Sequence, residues 1–204
     1  MTGSGNEQSQ SAREAKIRDI LLEELQDGED LANDARKMIA YLLREKKGYL
    51  PEEVRKGLAF EVTLGKETVW SSADFIVSVE GRMGMIIKCA AGSLDSRERQ
   101  AVAAARVIAS PPVPVAVVAN PATAVVLEVA GGKVIGEGFG AIPTKEQLQK
   151  ILSGKMPQTL DARRLEKEKR ILLAFDSIKC CVPRGGDGGM QIGPEPGEAE
   201  KSRS

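Results

Sequence analysis

The chain of 204 residues contains no histidine. That absence removes the side chain that titrates near neutral pH, the Ser-His and Cys-His nucleophile pairs and most zinc sites, so any catalysis would have to run on carboxylates and lysines. Cysteine is scarce too: Cys89, Cys180 and Cys181 are odd in number and have no CxxC spacing. Free thiols are therefore expected rather than a disulfide framework or a zinc cluster. Aromatic residues make up 3% of the chain, and Trp70, Tyr41 and Tyr49 form no aromatic ladder for stacking single-stranded bases. Charge of one sign is also lacking: 29 Lys and Arg balance 29 Asp and Glu. A nucleic acid or an anionic membrane would thus have to be met by a local patch. No apolar run approaches the roughly 20 residues of a membrane span, and the start "MTGSGNEQSQ" has no apolar signal core. A cytoplasmic protein without a membrane partner is expected.

What is present is 42% hydrophobic residues, enough for one core, between two ends of different composition. Residues 1–12 are rich in Ser, Gln and Gly, and residues 183–204 combine Gly, Pro and charge, so both read as disordered tails. Residues 13–28 read as an N-terminal amphipathic helix through Ile17, Ile20, Leu21 and Leu25, and residues 29–154 as the folded domain. The domain opens with a helix carrying Leu31, Met38, Ile39, Leu42 and Leu43, stopped at Gly48. Period-two alternation then predicts a three-strand meander: Leu58, Phe60 and Val62 share one side, Phe75, Val77 and Val79 alternate against Asp74, Ile76 and Ser78, and Met83 to Cys89 returns after Gly81. On the last strand, Met83, Met85, Ile87 and Cys89 are expected to share the core side.

The following helix, "SLDSRERQAVAAARVIAS", offers Asp95 and Glu98 as a capping box. "VPVAVVAN" is continuously apolar, the pattern of a strand covered on both faces, and strand–helix–strand connectivity makes it parallel to its predecessor. A hairpin through Gly131 and Gly132, a short helix capped by Thr144 with Gln147, and a C-terminal helix within residues 155–182 complete the pattern. In that last helix, Glu166 and Glu168 interleave with Arg163, Lys167 and Arg170, which reads as a solvated, ion-paired face.

The strings "KKGYLPEEV", "SSADFIV", "GMIIKCAAGSLDSRERQAVAAARVIA", "VPVAVVAN" and "AVVLEVAGGKVIGEG", in this order, resemble the N-terminal domain of type I restriction enzyme R subunits. That family belongs to the restriction-endonuclease-like PD-(D/E)xK nucleases, and the chain also looks like small stand-alone bacterial proteins carrying only this domain. The resemblance covers roughly residues 29–143. It implies a three-layer α/β restriction-endonuclease-like fold with a mixed central sheet flanked by helices. It also implies a site in which carboxylates hold magnesium and a lysine orients the attacking water.

Carried over, Asp74 takes the strand-two carboxylate, Lys88 stands where the family has glutamate, and Ala90 where it has lysine. The first-helix glutamate position falls near Asn33, beside Asp34, and Gln100 takes the place of a substrate-positioning glutamine. Arg97, Arg99 and Gln100 border the implied cleft as nucleic-acid contacts. Because a cation replaces an anion, the resemblance favours a degenerate, inactive site closed by an Asp74–Lys88 ion pair, with no cofactor, serving as a DNA-binding or regulatory module. The alternatives are an active magnesium-dependent endonuclease with a rearranged site, its metal on Asp74 with Glu61 or Glu80, and a protein-interaction scaffold forming a homodimer. No GxxxxGK[ST] motif occurs, so a motor or modification subunit would be a separate partner.

Overall fold

The structure, a computed structural model, describes residues 30–154 and 157–177. The expected tails at 1–12 and 183–204, the expected helix at 13–28 and the ends of the 155–182 segment lie outside the described residues.

Six strands form one mixed, open sheet in sequence order: β1 (Val54–Leu64), β2 (Glu67–Val79), β3 (Arg82–Cys89), β4 (Val115–Ala119), β5 (Ala124–Glu128) and β6 (Lys133–Glu137). Neighbours pair antiparallel except β3 and β4, which run parallel because α2 (Asp95–Val107) connects them. Every residue of β4 is buried, as its unbroken apolar run requires of a strand sandwiched between layers. One face of the sheet packs on α2 and α4 (Ala162–Ser177), through Ile76, Ile86, Ala116, Val118 and Leu172. The other packs on α1 (residues 30–46) and α3 (Lys145–Ser153), through Ile39, Leu43, Val77, Ile87, Val117 and Leu148. The protein is thus an α/β sandwich of three layers.

Local chemistry fixes the helix ends. α1 widens into a π turn over Leu42–Lys46, and Gly48, at φ 76°, reverses the chain, a conformation that costs a residue with a Cβ. Behind it the Tyr49 hydroxyl donates to the Pro143 carbonyl, and burial raises the Tyr49 pKa. Thr144 and Gln147 form the expected capping box on α3, the Thr144 hydroxyl accepting from the Gln147 amide. Thr144→Ala should therefore cost about 1 kcal/mol, readable in a denaturant melt; an unchanged midpoint would mean that the cap contributes nothing. The expected Asp95–Glu98 box does not form. The N-cap is Leu94, one residue earlier, so Asp95 lies inside the first turn. Burial, with Asp95 and Glu137 nearby, raises the Glu98 pKa.

Two departures from simple alternation shape the site. β1 and β2 keep a single register from Val54↔Val77 to Leu64↔Glu67. Yet Val54, Phe75 and Val77 face the α1 layer, whereas Leu58, Phe60, Val62 and Ala73 face the α4 layer. Both strands change face where Gly57, at φ 64°, lies opposite Asp74. In β3 a bulge at Gly84 sends Met83 to the α2 side while Met85, Ile87 and Cys89 face α1, so the expected single stripe is broken. A Cβ on Gly84 would lie 2.9 Å from the Leu148 side chain, which explains the glycine.

Candidate functional site

Asp74 sits at the face change of β2, and its carboxylate is held from two directions. Arg36 of α1 donates Nε to Oδ1 at 2.6 Å, and the Cys89 backbone amide at the end of β3 donates to Oδ2 at 2.7 Å. Arg36 is itself oriented by Asn33, one helical turn earlier, whose Oδ1 accepts from Nη1 at 2.6 Å. The Asp74 side chain is 19% exposed and that of Arg36 36%, so the pair is partly screened and its charge-assisted bonds carry more than a fully exposed pair would. Asp34, Asn33's neighbour, points away and pairs with Lys37 at 3.1 Å on the surface.

Lys88 takes a different path. It follows Ile86 in the strand alternation and so starts toward the α2–α4 layer, and its ammonium donates to the Ser72 carbonyl. The expectation that Asp74 and Lys88 share one side fails because the face change turns the Asp74 carboxylate toward α1. The cation that meets Asp74 there is Arg36. Ala90 continues beyond Lys88, packed against the α2 layer.

The other expected site residues are dispersed. Gln100 is fully buried, its amide donating to Asp176 Oδ1 at 2.8 Å, so it faces α4 instead of a cleft. Arg97 lies half-buried with Nη1 3.4 Å from the Gln100 Oε1. Arg99 pairs with Glu168 of α4 at 2.7 Å. Glu61 lies opposite Trp70, four residues along β2 from Asp74, which at the rise of a strand is about 13 Å. Glu80 lies beyond the other end of β2, against Arg82 and Gln149. Neither carboxylate can share an ion with Asp74, which corrects the expected Asp74–Glu61 metal pair.

A magnesium ion does not fit this donor set. It demands a near-octahedral oxygen shell, and among the described residues no three of His, Cys, Asp and Glu come together. A dication at Asp74 would also meet the guanidinium, and at about 4 Å with an effective dielectric near 20 each unit-charge interaction is worth about 4 kcal/mol.

Arg36 is the site residue that motif reading passes over. Its signal was present in the sequence: Ala32, Ala35, Ile39 and Leu43 are the buried positions of α1, and Asn33 and Arg36, three apart, flank that stripe on neighbouring turns. Glu168 was misread as part of a solvated face. It is 5% exposed and bridges Arg99 and Arg106 across the α2–α4 contact, while Glu166 and Arg170 do form the expected surface pair at 2.6 Å. Two surface grooves, of about 340 and 470 Å³, lie away from Asp74. The first runs along Asp95, Glu98, Arg99 and Arg106, and the second lies between Pro112 and Leu160.

No helix among the described residues is long and apolar enough to cross a membrane. Comparison of the chain with family models, with curated proteins and with solved structures finds no match.

Proposed function

We propose that this chain is a restriction-endonuclease-like domain, akin to the N-terminal domains of type I restriction R subunits, that has exchanged its metal site for an internal ion pair and acts as a nucleic-acid-binding or regulatory module. The element order supports the fold assignment: a helix, three antiparallel strands, a helix and a strand parallel to the third. One observation carries the functional half. The carboxylate that would anchor a catalytic ion already has a guanidinium on one oxygen and a backbone amide on the other. DNA is the partner this reading favours, with a separate motor or modification subunit supplying any chemistry. Among the expected contact residues Arg97 is the strongest candidate for touching phosphate, since Arg99 is engaged by Glu168 and Gln100 is enclosed.

Anisotropy of a labelled DNA duplex tests the reading. Binding should occur with chelator present, weaken steeply as salt rises, and fall severalfold in Arg97→Glu without dependence on magnesium. Cleavage that requires magnesium and disappears in Asp74→Ala would instead establish the rearranged nuclease. Absence of any binding would remove the nucleic-acid assignment.

A further inference from the structure

Beyond the face change, the distal half of the β1–β2 hairpin exposes one side of the sheet. Ala59, Glu61, Thr63, Thr68, Trp70 and Ser72 are all exposed there. Glu61 and Trp70 are direct cross-strand partners, and so are Thr63 and Thr68. Trp70 is 67% exposed, the most exposed large apolar side chain among the described residues. Glu61 beside it is aimed by a short polar ladder: the Thr63 hydroxyl donates to Glu61 Oε1 at 2.8 Å and lies 3.1 Å from the Thr68 hydroxyl. No basic side chain among the described residues pairs with Glu61. β1 is also an edge strand, with no neighbour beyond it among the described residues. Toward its end Lys169 donates to the Thr63 carbonyl at 3.0 Å.

We propose that the Glu61–Trp70 pair is a docking point for an arginine side chain carried by an extended segment of a partner protein that adds to the β1 edge. An added strand would lie about 4.8 Å from β1, and so about 10 Å from β2. A residue across from Glu61 shares its face, and an arginine there spans the carboxylate and reaches the indole. The guanidinium is the group that suits both surfaces: it pairs with a carboxylate through parallel hydrogen bonds and lies flat on an aromatic ring. The β1 edge, which has no paired strand beyond it among the described residues, supplies the main-chain half of the recognition, and the exposed acid supplies the charge complementarity. This surface is separate from Asp74 and Arg97, so it does not depend on the DNA reading.

Trp70 is the only tryptophan of the chain, so its fluorescence reports this surface alone. The probe is the peptide acetyl-Thr-Val-Arg-Val-Thr-amide, titrated into the full chain beside a version with citrulline, a neutral isostere, in place of arginine. The arginine peptide should shift Trp70 emission saturably. Binding should be about tenfold weaker with citrulline or with Glu61→Gln, corresponding to loss of one charge-assisted pair. Equal binding of the two peptides, indifference to Glu61→Gln, or no change in emission would overturn the proposal. So would an oligothymidylate that shifts the emission when the arginine peptide does not.

Discussion

Cys89 is expected to react with iodoacetamide at pH 8 roughly a thousandfold more slowly than an unhindered thiol, because so little of it is thiolate there. Its pKa is pushed up to about 12, first by burial and then by the Asp74 carboxylate, with Arg36 opposing. Mass-spectrometric mapping of the alkylated peptides separates Cys89 from Cys180 and Cys181. Arg36→Ala removes the opposing charge and should slow the reaction further, whereas Asp74→Asn should speed it. Fast labelling of Cys89 in the native protein would contradict the described packing of Asp74, Arg36 and the end of β3. The same shift has a stability sign. The folded-state pKa lies above the ordinary value of 9.0, so the contribution of the neutral thiol is intact below about pH 9 and is lost as pH rises toward 12.

Glu168→Ala should lower the unfolding free energy by about 3 kcal/mol, the usual cost of removing one partner from a buried ion pair. Glu168 and Arg106 have side chains only 7% and 10% exposed, and Arg106 donates Nη1 to Glu168 Oε1 at 2.8 Å. The rest of that guanidinium is committed to the Val129 and Ala130 carbonyls, which keeps it in place when the carboxylate is gone. Arg99, 45% exposed, can turn to water, so the penalty falls on Arg106. Chemical denaturation of Glu168→Ala and Glu166→Ala side by side checks this. The second change touches only an exposed pair and should cost a few tenths of a kcal/mol. Equal, small losses would mean that Glu168 is solvated after all.

These two sites show where sequence patterns carry information and where they stop. The strands themselves were legible because each one's burial is written in its own residues: β4 is apolar throughout, and β5 and β6 flank a two-glycine turn. The parallel step was legible because a helix separates β3 from β4. The relation of Asp74 to Lys88 was not, because period-two reasoning assumes that alternation persists along a strand. Gly57 and Asp74 change face without changing register, and Gly84 inserts a residue into β3. Neither event leaves more than a glycine in the sequence. Glu168 was hidden for a related reason. Helical spacing supplies it with neighbours on its own helix, yet its partners lie on α2, 62 residues away for Arg106. Arg36 reaches Asp74 across 38 residues in the same manner. Long-range ion pairs of this kind depend on packing that local periodicity does not encode.

The central claim is that the Asp74 carboxylate is occupied by a guanidinium and an amide and so has no place for a catalytic ion. Calorimetric titration with manganese tests it most directly, run on the native chain and on Asp74→Ala. The account predicts no site-specific heat in either protein, whereas a stoichiometric manganese site in the native chain that vanishes in Asp74→Ala would contradict it.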